Sequence, residues 1–180
     1  SAAKTGITGI CGSAIIEVVA EMFLSGIISE DGVIDGAMAA RSPRILENGR
    51  TFSYLLHDGA QRITVTQNDV RAIQLAKAAL YAGIKLLMEK LEVTHVDEIR
   101  FAGAFGSFID PKYAMVLGLI PDCDLNRVKA VGNAAGTGAR MALLNRTHRR
   151  EIEATVAKVE KIETALEPHF QQLFVHAMAM

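Results

Sequence analysis

Phe101-Ala-Gly-Ala-Phe-Gly106 and Val131-Gly-Asn-Ala-Ala-Gly-Thr-Gly-Ala139 decide how this chain is read. Each follows a short apolar or β-branched run, Ile99 to Phe101 in one case and Val128 to Val131 in the other. The second opens a helix-forming run, Arg140-Met-Ala-Leu-Leu144. Strand, glycine turn and helix in succession bring backbone N–H groups close to a nucleotide without side-chain obstruction. One such turn is common. Two beside neighbouring strands can form the wall and floor of one pocket.

Outward from these turns, helices dominate. Apolar residues at Ile15, Val18, Val19, Met22 and Phe23 predict a helix over 14–25, N-capped by Ser13 and stopped by Gly26. Residues 29–50, rich in Gly, Asp, Ser and Arg, read as irregular connection. Thr51-Phe-Ser-Tyr-Leu-Leu56 and Ile63-Thr-Val-Thr66 read as a hairpin turned at His57-Asp-Gly-Ala60. Thr66-Gln-Asn-Asp69 has the form of a capping box and starts the longest helix, 67–92. Within it Ile73, Ala76, Leu80, Ile84, Leu87 and Leu91 predict one buried stripe, with Gln74, Lys77, Tyr81 and Lys85 on a different side. Asp110-Pro111 opens a short helix, a charged helix is expected over 147–161, and Pro168 starts a terminal one. Strands at 51–56, 63–66, 98–102 and 128–131 are too few for a doubly wound sheet. They suit one half of a two-lobed α/β protein.

Composition excludes several classes. A chain of 180 residues suffices for one core, or one core with an appendage. With 50% hydrophobic and 22% charged residues it reads as globular, not disordered. A net charge of −1 gives no reason to expect nucleic acid or an acidic membrane as partner. No apolar run approaches the roughly eighteen residues of a membrane span, and no basic segment precedes an apolar one as in a secretory signal. Cys11 and Cys123 stand apart, with no CxxC spacing, so they read as buried or half-buried thiols in a reducing cytoplasm. No metal or iron–sulfur site is expected from this chain alone.

The usual catalytic patterns are missing too. The glycines spell neither GxGxxG nor a Walker-type phosphate loop, and no GxSxG elbow occurs. His57, His95, His148, His169 and His176 are scattered, and the aspartates around Cys123 and between 31 and 35 sit in turn-like contexts. Catalytic residues stay unassigned. For Gly103 and Gly106 the alternative to a ligand is a tight strand-to-loop turn; for Gly136 and Gly138 it is a helix packed closely on a sheet. Glycine inside a helix costs roughly 0.5–1 kcal/mol against alanine, so Gly136 and Gly138 need a compensating reason. Pattern alone does not separate close packing from close ligand approach. The chain begins at Ser1 and runs almost at once into Thr8-Gly-Ile-Cys-Gly12, which leads to the expectation that it is a piece of a longer polypeptide.

Five motifs occur in order: Gly9-Ile-Cys-Gly-Ser13, Ile63-Thr-Val-Thr-Gln-Asn-Asp-Val-Arg71, Gln74-Leu-Ala-Lys-Ala78, Ala102-Gly-Ala-Phe-Gly106 with Ile109-Asp-Pro111, and Gly132-Asn-Ala-Ala-Gly-Thr-Gly-Ala139. Together they resemble the C-terminal part of the reductive activators of corrinoid proteins, over nearly the whole chain. Those are iron–sulfur proteins with an ATPase domain of the sugar kinase/heat-shock protein 70/actin type. Phe170-Gln-Gln-Leu-Phe174 also resembles the family's terminal helix. The resemblance implies one lobe of an actin-like (ribonuclease H-like) ATPase fold, helix-rich with a small sheet. It implies residues 1–180 as a single C-terminal lobe, with 147–180 as a helical extension.

The resemblance also implies a reaction. An iron–sulfur module delivers an electron to an inactive Co(II) corrinoid protein, and ATP with Mg²⁺ helps drive the reduction to Co(I). Carried over, Gly103, Ala104, Phe105 and Gly106 match the adenosine-side turn. Gly132, Asn133, Gly136, Thr137 and Gly138 match the segment that packs between lobes, and Gln74 and Lys77 match a polar helix face bordering the adenosine. The four-cysteine iron–sulfur domain and the lobe that holds Mg²⁺ and the triphosphate are not in this sequence. Nucleotide affinity in isolation is therefore expected to be weak or absent, with no redox activity. Two other readings stand beside it. One is a dimer or interaction module using the small-residue surface of Ala134, Ala135, Gly136, Gly138 and Ala142. The other is the related activators of radical acyl-CoA dehydratases or reductases, which carry cluster-ligating cysteines within the ATPase domain.

Overall fold

The computed structural model describes residues 6–180; residues 1–5 lie outside the described part. Its spine is α2 (Gln67–Lys90). Thr66 caps it as the sequence predicts: Asp69 Oδ2 accepts from the Thr66 N–H at 2.8 Å, and the Asp69 N–H donates to Thr66 Oγ1 at 3.2 Å. Each bond satisfies a donor that the helix start would leave unpaired. Replacing Thr66 with Ala is expected to cost about 1 kcal/mol of stability, with Ser restoring most of it. Thermal unfolding of the two variants checks this.

The buried face of α2 differs from the expected stripe. Val70, Gln74, Lys77, Ala78, Ala82, Leu86 and Met88 face inward, while Leu80, Leu87 and Leu91 are exposed. The helix is rotated because Ala78 and Ala82, fully buried, allow close approach, and because Gln74 and Lys77 find carbonyl acceptors inside. Hydrophobic periodicity registers size, not partner geometry, so it favoured the leucines.

Ahead of α2 lie α1 (Gly12–Leu24) and an antiparallel sheet of β1 (Ile45–Asn48), β2 (Thr51–His57) and β3 (Ile63–Thr66), in the order β1-β2-β3. The hairpin of β2 and β3 is the predicted one, with Tyr54 opposite Val65 and an irregularity between Leu55 and His57. β1 falls in the stretch read as irregular. It pairs through a two-residue turn, Gly49-Arg50, with Asn48 opposite Thr51 and Gly49 at φ 63°. That glycine conformation matches the right-handed twist of the flanking strands, and Asn48-Gly49 was the available signal.

At α1 the cap residue is Cys11, not Ser13, which is buried as the second residue of the helix. Gly26 (φ 73°) does stop the helix. Its N–H donates to the Phe23 carbonyl at 3.0 Å and that of Ile27 to Met22 at 2.8 Å, the bond pair of a Schellman motif. Val19, Ile28, Ile34, Val65, Val70 and Leu117 join α1, the sheet and α2 in the main core.

The second half is built on two parallel strands, β4 (Ile99–Ala102) and β5 (Val128–Gly132), which form their own sheet. A one-turn helix α3 (Gly103–Gly106) follows β4, then α4 (Pro111–Val116), capped by Asp110 through Lys112 N–H at 2.8 Å. β5 runs into α5 (Ala134–Leu144), and α6 (Arg146–Val156) follows. Ala114, Ile120 and Val128 form a smaller core under this sheet. The last helix, α7 (Phe170–His176), packs along α2. Among the described residues no helix is long and apolar enough to cross a membrane.

Candidate functional site

The register of β4 on β5 places the two glycine turns side by side. Ile99 lies opposite Val128 and Ala102 opposite Gly132, so both strands end at the same edge. Gly103 (φ 91°) turns the chain off β4 into α3, and Gly132 (φ 68°) turns it off β5 towards α5. A side chain is strained at such angles, which alone accounts for these two glycines. The carboxyl ends of adjacent parallel strands are where open α/β sheets bind ligands. The predicted residues Gly103, Ala104, Phe105, Gly106, Gly132 and Asn133 are thus brought to one edge.

At α5 the helix start is polarised and free of acid. Asn133 caps it, its Oδ1 accepting from the Gly136 N–H at 2.9 Å, and no Asp or Glu occupies the first turn. The positive end of the helix dipole is therefore not neutralised within the first turn. Gly136 is explained internally, since a Cβ there would meet Asn133 Nδ2 at 2.7 Å. Gly138 is not. Its φ is ordinary, and a Cβ built on it would meet no atom within 4 Å. The whole of α5 has no buried residue, although Thr137 and Arg140 are its only polar residues.

A third glycine segment joins the first. A Cβ on Gly12 would lie 2.7 Å from the ring of Phe105, so the start of α1 packs against the α3 turn with the ring in its present place because residue 12 is glycine. Gly9-Ile-Cys-Gly-Ser13 leads into α1, and its aromatic partner Phe105 lies too far along the sequence for any local pattern to pair them. The rings of Phe105 and Phe108 remain well exposed, Phe108 at 73%. Next to Gly12, Ser13 Oγ lies 3.2 Å from Cys11 Sγ. That bond, followed by one from the Ala14 backbone, holds the exposed thiol below its ordinary range. Cys123 is half-buried in the α4–β5 connection, and burial, then Asp124 and Asp122, push its thiol up.

Gln74 and Lys77 belong elsewhere. Their side-chain partners come from the 30–34 turn and the C-terminal tail, not from either glycine turn. Gln74 Nε2 donates to the Asp31 carbonyl at 3.2 Å and to the Met178 carbonyl at 3.1 Å, and Lys77 Nζ donates to the Ala179 carbonyl. The side of the helix that carries them, apart from the expected apolar stripe, is an interior contact. Tyr81 and Lys85 from that side stay together, with the ammonium 5.3 Å from the ring centre.

Two parallel strands ending in glycine turns, a long helix and a separate three-stranded antiparallel sheet make this a helix-rich α/β protein with small sheets. The comparisons place it more closely. Residues 2–180 match the family described as the C-terminal domain of RACo, the ASKHA domain, and the chain belongs to that family. It is 35% identical over 184 residues to the corrinoid activation enzyme RamQ of Eubacterium limosum, across 96% of this chain and 31% of that protein. A solved structure of a reductive activator for corrinoid, iron-sulfur protein matches with TM-score 0.86 and 32% identity, across 96% of this chain and 28% of that one. The chain therefore spans about a third of the length of these relatives.

Proposed function

We propose that this chain is the nucleotide-facing lobe of an ATP-dependent reductive activator that returns a Co(II) corrinoid protein to Co(I) in a corrinoid methyltransferase system of the cytoplasm. The names of both relatives support the target, and the match of family supports the fold. The observation that carries the nucleotide role is Gly138, a helix glycine that no turn angle and no packing within the chain explains. A close approach to α5 from outside the chain accounts for it. A nucleotide held between this lobe and a second one does so, with the acid-free start of α5 and the N–H groups after Gly103 and Gly132 as donors.

In this reading the chain's own part is to bind and orient. The turn with Phe105 forms the adenosine side, and the small-residue face of α5 meets the other lobe, which supplies Mg²⁺ and triphosphate contacts. ATP supplies binding or hydrolysis energy, and the electron comes from an iron–sulfur module elsewhere in the polypeptide. The residues here do not fit such a cluster: among the described residues no group of three or more His, Cys, Asp or Glu converges. Calorimetric titration of Mg-ATP tests the proposal, using this chain and a polypeptide extended upstream by one lobe. Binding is expected only in the longer polypeptide. Binding to neither would remove the nucleotide role.

A second reading is favoured by the uncovered face of α5: a homodimer contact there, without nucleotide. Light scattering separates the two, since a mass that rises with concentration and ignores nucleotide supports the dimer.

A further inference from the structure

Away from the glycine turns, Lys77 is a buried cation with an incomplete partner set. The residue is 4% exposed, and its ammonium has one hydrogen-bond acceptor, the Ala179 carbonyl. No carboxylate of the described residues pairs with it. An ammonium carries three donors, and buried polar groups are almost always satisfied. Burying an uncompensated charge is among the costliest events in a fold. Burial indeed pushes this ammonium down from its ordinary range.

The side chain lies at a cleft of about 230 Å³, lined by Lys77, Tyr81, Gly118, Asp122, His176 and Ala179. Gly118 (φ 68°) holds the turn at its edge, and a Cβ there would sit 3.7 Å from Lys77 Nζ. The backbone on one side is fixed by the tail: Met180 N–H donates to the Glu30 carbonyl at 2.8 Å, and Gln74 holds the Met178 carbonyl. Tyr81 and His176 bring further donor capacity to the lining. Asp122, the one acidic side chain in its lining, is exposed and makes no ion pair with Lys77, and the Met180 end of the tail borders the cleft without pairing with the ammonium. A neutral guest would leave the lysine's charge uncompensated, whereas an anion would pair with it and take its free donors.

We propose that this cleft binds a compact oxyanion, a phosphate or carboxylate group, on the Lys77 ammonium. The site is separate from the glycine turns and does not depend on the nucleotide reading. Its test is a titration of the 180-residue chain with inorganic phosphate and, separately, acetate, at ionic strength held constant with chloride. Backbone amide shifts by NMR are the readout. Saturable shifts centred on Tyr81, Gly118 and Ala177 to Ala179 are expected with one or both anions. Lys77→Met should abolish saturation, and His176→Ala should weaken affinity roughly three- to tenfold. Shifts that never saturate, or saturation unchanged in Lys77→Met, would overturn the proposal. If Lys77→Met does not fold, unchanged affinity in both His176→Ala and Tyr81→Phe overturns it as well.

Discussion

Gly138→Ala makes this chain more stable and its longer polypeptide a poorer nucleotide binder. A methyl group at that position meets nothing within the chain, and the substitution replaces a weak helix former inside an 11-residue helix. Stability should rise by about 0.5–1 kcal/mol. In a domain of this size the unfolding midpoint then moves up by about 1 to 4 °C. The same methyl enters the space that the proposed nucleotide or second lobe would use, and overpacking a close contact costs about 1–3 kcal/mol. Affinity for Mg-ATP in the extended polypeptide should therefore fall by roughly ten- to a hundredfold. Calorimetry and thermal unfolding on the same variant read both effects. A gain in stability with unchanged affinity would mean that nothing approaches Gly138, and the proposed role of α5 would fall.

The largest loss of stability is expected at Gly32. Its φ of 75° is unfavourable to any side chain, and a Cβ there would lie 2.2 Å from Gln74 Nε2 and 2.4 Å from Oε1. Gln74 is 1% exposed and cannot swing into solvent without leaving the core. Gly32→Ala then combines the left-handed backbone cost, roughly 1–2 kcal/mol, with loss of the two bonds to Asp31 and Met178. At about 1 kcal/mol per bond the sum is about 3–4 kcal/mol. Gly26→Ala is the control. It has nearly the same φ, 73°, but no atom within 4 Å of the added Cβ, so only the backbone cost applies. Urea unfolding of the pair should differ by about 2 kcal/mol, with faster amide exchange at 178–180 in Gly32→Ala alone. Equal losses would show that Gln74 does not tie the tail to the 30–34 turn.

Legibility followed locality. The Thr66 capping box, the Gly26 stop, Asp110-Pro111 and the β2–β3 hairpin each rest on residues a few positions apart, and each is found where expected. The two glycine turns were readable for the same reason, because strand, turn and helix follow in one short stretch. β1 was missed through weak turn chemistry, a single Asn48-Gly49 in a polar run. The face of α2 was missed for a deeper reason. Its polar members gain partners from residues as distant as Asp31, Met178 and Ala179, and no local pattern carries that information.

By itself, then, the sequence determined where most helices lie and several of their ends, the hairpin, and the presence of two strand–glycine–helix units, since caps, turns and φ requirements are short-range properties of the chain. Tertiary structure alone decided that these units sit edge to edge through the register of β4 on β5, and that Phe105 rests on Gly12. It also decided that Gln74 and Lys77 turn inward to the tail while half-buried Gly138 has no atom of this chain within 4 Å of where a Cβ would stand. Those outcomes depend on which distant surfaces meet, and burial rewards a contact only once the fold has brought its two sides together.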